Sequence, residues 1–293
     1  MSATSGSFEL RPRGALIPPP DGPELVSFDL DAHGEAVVLW AGDGRPVITH
    51  GSEGEAVTLA HSAPEWPLVQ LLPDDRLLVV GMRSEWRDGA GEHNAFVFGH
   101  DGSLERSGCL GDGIEHVKVA ADGTIWVGYF DEGIFGNLGW GMGKGPEPIG
   151  HSGLVQFTRD FELLWEFPPS DNPIDDCYAM NVIGDDVWVC CYSEFDVALV
   201  RDGAVQRWRN DVASAKTIAV ADDRVALFGH WEERDRLVIG HLSDADLKPR
   251  ATTRLTMPNG RRIPEDARVV GRGAELHVLV GLERFTWSLT DQA

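Results

Sequence analysis

Six times along the chain an apolar run, a tight polar turn and a second apolar run follow one another. The turns are Asp31-Ala32-His33-Gly34, Pro73-Asp74-Asp75, Ala121-Asp122-Gly123, Gly184-Asp185-Asp186, Ala221-Asp222-Asp223 and Gly271-Arg272-Gly273. A unit recurring at roughly 40–60 residues cannot bury its apolar face alone, so like units must stack. The third unit shows the pattern most fully. Residues 116–120 alternate, Asp122-Gly123 turns the chain, and 125–130 return; 153–157 and 162–167 add two further runs around Arg159-Asp160. Runs rich in Val, Ile and aromatics and bounded by Gly and Asp are strand–turn–strand signals. Four such strands make one twisted antiparallel blade.

The pattern predicts an all-β chain, a six-bladed β-propeller of four-stranded antiparallel blades forming a single domain over 1–293. The blades fall near 21–60, 64–110, 114–167, 176–210, 214–256 and 265–293, with Asp43-Gly44 as the middle turn of the first. The sixth has three strands before the chain stops, while an alternating run at 8–13 is left over at the other end. If that run supplies the missing outer strand, the ring closes and an exposed sheet edge disappears. Pro12 is tolerable there because an outermost strand has one unpaired side.

Loop lengths divide the two rims. Turns between first and second strands, and between third and fourth, are short throughout, whereas 83–94, 131–152, 168–177, 231–235 and 257–266 emerge on the opposite rim. Long irregular loops in compact domains carry function disproportionately. A site is therefore expected on the long-loop rim, at the mouth of the central channel. Just ahead of the innermost strands stand Glu65-Trp66, Glu115-His116, Asp175-Asp176-Cys177-Tyr178, Ser214, Lys216 and Glu265-Asp266. Converging carboxylates suit a hard cation such as calcium, with Glu65, Glu115, Asp176 and Asp266 as ligands. They also suit acid–base chemistry, with Glu115, His116, Asp176 and Lys216 as the catalytic set. Acidic residues that simply precede strands in solvated loops are the plainer account.

Trp66, Trp86, Trp140 and Trp231 fall in the long-loop set, and with Phe135 and Tyr178 they are the predicted ligand contacts, since aromatics on a rim favour ligands and partners. Trp126 and Trp188 occupy matching points of second strands, and Trp165 and Trp208 of fourth strands, so these four read as repeated packing between blades. The glycine-rich stretch 131–145 fails the phosphate-loop spacing: Leu138 stands where the first glycine belongs and Gly145 where Ser or Thr belongs. Neither a Gly-x-Ser-x-Gly elbow nor a His-Glu-x-x-His motif occurs.

Charge narrows the partners. The chain carries 25 Lys and Arg against 47 Asp and Glu, a net charge of −22. Such a field repels phosphate backbones and anionic lipid, so neither nucleic acid nor membrane is expected as a partner; cations and cationic ligands are attracted. Cys109, Cys177, Cys190 and Cys191 fit no zinc spacing and read as free thiols in a reducing compartment. The polar amino-terminal residues lack a signal's apolar core, which makes the cytoplasm the expected location.

The strand order and Asp-Gly turns resemble six-bladed propellers of the broad group that holds the gluconolactonase/senescence-marker, NHL-repeat and strictosidine-synthase-like families. The similarity spans nearly the whole chain and rests on generic blade motifs. Gluconolactonase-like members hold a divalent metal at the channel mouth through acidic and asparagine side chains, which implies Glu65, Glu115, Asp176 and Asp266 as stand-ins. Strictosidine-synthase-like members use a channel glutamate in an amine–aldehyde condensation, which implies Glu115. Two expectations follow: a module binding a small molecule or protein at the long-loop rim, or a channel-sited enzyme, either a metal-dependent lactone hydrolase or a carboxylate-assisted condensing enzyme.

Overall fold

The structure is a computed structural model that describes residues 6–20, 23–42, 44–51 and 55–292. Asp43 of the expected first-blade turn lies outside the described residues. The chain has the six-bladed β-propeller fold that the repeats predict. Blade one runs Glu24–Leu30, Ala36–Ala41, Val47–His50 and Glu55–Thr58. Blade two runs Pro67–Leu71, Leu77–Gly81, Ala95–Phe98 and Leu104–Gly108; blade three runs Ile114–Val119, Ile125–Tyr129, Leu154–Phe157 and Leu163–Glu166. Blade four runs Asp176–Ile183, Asp186–Tyr192, Val197–Arg201 and Ala204–Trp208; blade five runs Thr217–Ala221, Arg224–Phe228, Arg236–Leu242 and Leu247–Thr256. Blade six is built from Arg268–Arg272, Glu275–Val280, Glu283–Ser288 and the amino-terminal Arg11–Ala15.

The chain divides into two compact units, Ile17–Cys177 with blades one to three, and Met1–Leu16 with Tyr178–Ala293, which carries blades four to six. In the first, Val37, Leu39 and Ile48 of blade one pack against Val69, Val79, Phe96 and Phe98 of blade two. Strands with both faces covered read as near-continuous apolar runs, as in Leu77–Gly81, which is buried throughout. Gln70 ties the three innermost strands of this unit: its side chain donates to Leu30 O (3.5 Å) and accepts from Val119 N (3.1 Å). Beside it the Lys118 ammonium meets the Asp29 carboxylate, both largely buried.

In the second unit Asn181 does the same work. Its amide donates to Ile218 O and Gly273 O, both at 2.8 Å, and accepts from Gly273 N (2.9 Å), joining blades four, five and six. Buried polar groups need such partners, because an unmet one costs about 1–3 kcal/mol.

The amino-terminal strand closes blade six, but differently from the expected 8–13. Arg11–Ala15 pairs antiparallel with Glu283–Ser288, with Pro12 opposite Phe285 and a bulge before Gly14. Ser7–Glu9 instead lies parallel to Arg254–Thr256 as a fifth strand of blade five. Packing explains the split: Leu10 is 2% exposed in the core of these two blades, and Phe8 rests against Trp287 at 6.0 Å. The repeated tryptophans pair within single blades. Trp126 meets Trp165 at 5.4 Å in blade three, and Trp188 stacks on Trp208 at 5.6 Å in blade four. Second and fourth strands present the same face, so these rings meet across the strand between them. Among the described residues no helix is long and apolar enough to cross a membrane.

Candidate functional site

In the unit holding blades four to six, aromatic residues gather at the long-loop ends of two blades. Tyr178 sits near the start of Asp176–Ile183, and Tyr192 ends the neighbouring strand, so antiparallel pairing brings them to the same end of the sheet. Their rings stack 5.6 Å apart at 16°. Phe195, in the loop that follows, meets them at 6.0 and 5.5 Å. Trp231, from the second-to-third loop of blade five, stands edge-on to Tyr178 and Phe195, each at 6.2 Å. Tyr178 is the floor, 8% exposed, while Tyr192 is 37% and Trp231 58% exposed.

Lys216 completes the group. Its Nζ lies 4.0 Å from the centroid of the Tyr178 ring, a cation–π contact. Its backbone N–H donates to Phe228 O (2.9 Å), and its stem runs beside Gly229. Gly229 has φ +92°, where a side chain would be strained, and a Cβ there would stand in contact with Lys216 Cβ at 3.4 Å. Among the described residues no carboxylate pairs with Lys216. In a chain with 47 acidic side chains that leaves an ammonium over a ring, its remaining hydrogens open to water or ligand. Phe195 has φ 60°, a left-handed conformation costly for a bulky residue. Asn210 holds it there by donating to Phe195 O (2.8 Å) while exchanging hydrogen bonds with Val212.

The long-loop rim of blades two and three is built otherwise. Arg83 grips Asp112 with two parallel hydrogen bonds of 2.9 Å and reaches Glu132 at 2.5 Å. Asp112 also accepts from Ser84 N (2.9 Å), and the Arg83 guanidinium lies 5.5 Å over the Phe130 ring. Burial opposes the Arg83 charge, but Asp112 and Glu132 outweigh it and raise its pKa. The helix Asp131–Phe135 closes on this cluster because Gly113 and Gly133 face each other: a Cβ on Gly133 would lie 2.3 Å from Asp112 O. Trp140 is 4% exposed, packs on Trp86 at 5.0 Å and donates its indole N–H to Ser84 O (2.8 Å).

Three of the sequence-predicted residues, Tyr178, Lys216 and Trp231, thus come together. Trp86 and Trp140 meet each other as packing. Trp66 is 62% exposed at the entry to blade two, and Phe135 is 60% exposed at the end of its helix. Glu115 and His116 lie half-buried on Ile114–Val119, where the register shifts between Ile114 and His116. The calcium reading does not fit these residues. Glu65 and Asp266 lie in exposed turns while Glu115 and Asp176 are half-buried in strands. Among the described residues no three His, Cys, Asp or Glu side chains stand close enough to hold a metal ion. The four cysteines are free thiols; burial pushes Cys190 up to about 12, which leaves it unreactive.

Tyr192, Phe195, Arg83 and Asp112 are the residues that sequence reasoning passes over. Tyr192 precedes and Phe195 lies within a loop only four residues long, too short for loop length to mark it; two aromatics so close in sequence are the available clue.

A model of the YxzG family matches residues 153–248. No curated protein matches the chain. Among solved structures, a catalytically inactive virginiamycin B lyase from Staphylococcus aureus with quinupristin is similar at 10% identity, covering 93% of this chain and 83% of that one, with a TM-score of 0.55. A luciferin-regenerating enzyme is similar at 11% identity over 96% of this chain and 95% of that one, with a TM-score of 0.50. A putative gluconolactonase is similar at 13% identity over 95% of this chain and 97% of that one, with a TM-score of 0.43. The likeness that the virginiamycin B lyase and the luciferin-regenerating enzyme establish is one of fold.

Proposed function

We propose that this propeller binds a small anionic, ring-bearing ligand on the long-loop rim of blades four and five. The observation that carries the reading is Lys216, an ammonium without a carboxylate partner beside exposed Trp231 and Tyr192. A flat ring stacks on the aromatic faces, and its carboxylate or phosphate meets Lys216, which is drawn off the Tyr178 ring or shared with it. The preset geometry limits the ordering cost of binding: Gly229 and Asn210 hold Lys216 and Phe195 before any ligand arrives. The metal-dependent hydrolase alternative needs carboxylates gathered at one point, and among the described residues no three His, Cys, Asp or Glu side chains are so gathered.

The test is a titration with 2-naphthoate, 2-naphthamide and calcium chloride, followed by tryptophan emission. Saturable binding of naphthoate, weakened about tenfold by Lys216→Gln while naphthamide is unaffected, supports the reading. Equal affinity for the acid and the amide, or no change in Lys216→Gln, discards it.

A further inference from the structure

Blade three carries a second feature that owes nothing to the aromatic group above. Between its outer strand, Leu163–Glu166, and the segment leading to blade four lies a cleft of about 610 Å³, within the range of small-molecule sites. Its walls include Leu164, Trp165, Phe167, Pro168 and Ile174. Leu163 and Leu164 are 50% and 51% exposed, an unusual amount of apolar surface to leave on an outer strand. The far wall is preformed: Pro168, Pro169 and Pro173 restrict its backbone, and Ile174, 2% exposed, is seated where a Cβ on Gly153 would lie 2.4 Å from Ile174 Cβ. Trp165 is fixed by Trp126 at 5.4 Å and by Phe167 edge-on at 5.9 Å.

The polar groups in this lining are few and one-sided. His151 Nδ1 faces Pro148 O at 3.2 Å and Glu166 Oε1 at 3.5 Å. Both are acceptors, so Nδ1 is the donor of the pair of contacts. Ser152 and Ser170 spend their hydroxyl protons on Leu154 O and Asn172 O. Glu166, partly exposed, is then the carboxylate of the cleft, and it shares the lining with Trp165 and Phe167 in a chain of net charge −22. A carboxylate in a lining that is otherwise mostly apolar and aromatic suits one ligand chemistry, a cation with an apolar body.

We propose that this cleft binds an amphipathic organic cation, its apolar part against Leu164, Trp165 and Pro168 and its ammonium at Glu166. The whole chain is titrated calorimetrically with hexyltrimethylammonium and, in parallel, with hexanoate. The expected result is saturable one-to-one binding of the cation, with a shift of the Trp165 indole resonance and much weaker binding of hexanoate. Glu166→Gln weakens cation binding about fivefold, as a partly exposed charge pair should. Glu162→Gln, which removes an equal charge from the strand's approach, leaves it unchanged. Comparable binding of hexanoate, non-saturating heats, or an equal loss in Glu162→Gln and Glu166→Gln overturns the proposal. The last result would assign the attraction to the acidic surface at large.

Discussion

The long-loop rims of blades two and three and of blades four and five use the same ingredients, cations and large aromatics, to opposite ends. In the first, Arg83 is fully engaged by Asp112 and Glu132, and Trp140 is buried with its N–H satisfied. In the second, Lys216 has an aromatic ring but no carboxylate, and Trp231 and Tyr192 remain open to solvent. A rim whose central cation and tryptophan are paired holds its loops in place. A rim that leaves an ammonium and ring faces unpaired has interactions still to make. Abundance of loop and of tryptophan therefore does not locate a site; unmet bonding capacity does.

The contrast yields graded expectations. Arg83→Ala should be the most damaging change, about 3–5 kcal/mol by denaturant unfolding, because the Asp112 side chain, 1% exposed, is left charged and unpaired. A loss below about 1 kcal/mol would mean that this rim is not held by the pair. Trp140→Phe should cost about 1–3 kcal/mol, since it opens a gap against Trp86 and orphans Ser84 O. Trp231→Ala, at an exposed ring, should change stability by no more than about 0.5 kcal/mol yet abolish the naphthoate response.

The smallest effect concerns acid. Hydrogen bonds from Asn137 and then Arg83 lower the Glu132 pKa. A carboxyl depressed in the folded state stabilises above its unfolded pKa, near about 4.3, and the benefit is lost as pH falls through the folded value. Glu132 is well exposed, so a shallow loss of stability below about pH 4 is expected, and Glu132→Gln should flatten it. An unchanged slope in that variant would remove Glu132 from the rim's electrostatics.

Much of the fold was legible because strand alternation and Asp-Gly turns are local signals, repeated six times. Even the amino-terminal strand of blade six could be read, from an unassigned alternating run at 8–13. That Phe8 would serve blade five instead was not legible, since it depends on the position of Trp287 in the folded sheet. The site was half visible. Tyr178, Lys216 and Trp231 were named from their places ahead of strands and in long loops. Burial of Trp140 was not, because its ring is seated where a Cβ on Gly91 would lie 2.7 Å away, a close approach between residues far apart in the chain. That no three of the predicted carboxylates stand close enough to hold a metal ion, among the described residues, was not legible either. Side-chain direction at a strand's start turns on register, and the register of blade three's first strand shifts between Ile114 and His116, around Glu115.

Hydrogen–deuterium exchange with and without 2-naphthoate most directly separates an open rim from a satisfied one. Protection should appear in peptides covering 192–196, 214–217 and 229–233, and leave 83–94 and 131–152 unchanged. Protection confined to the second pair of segments, with none around Lys216 and Trp231, would contradict the account.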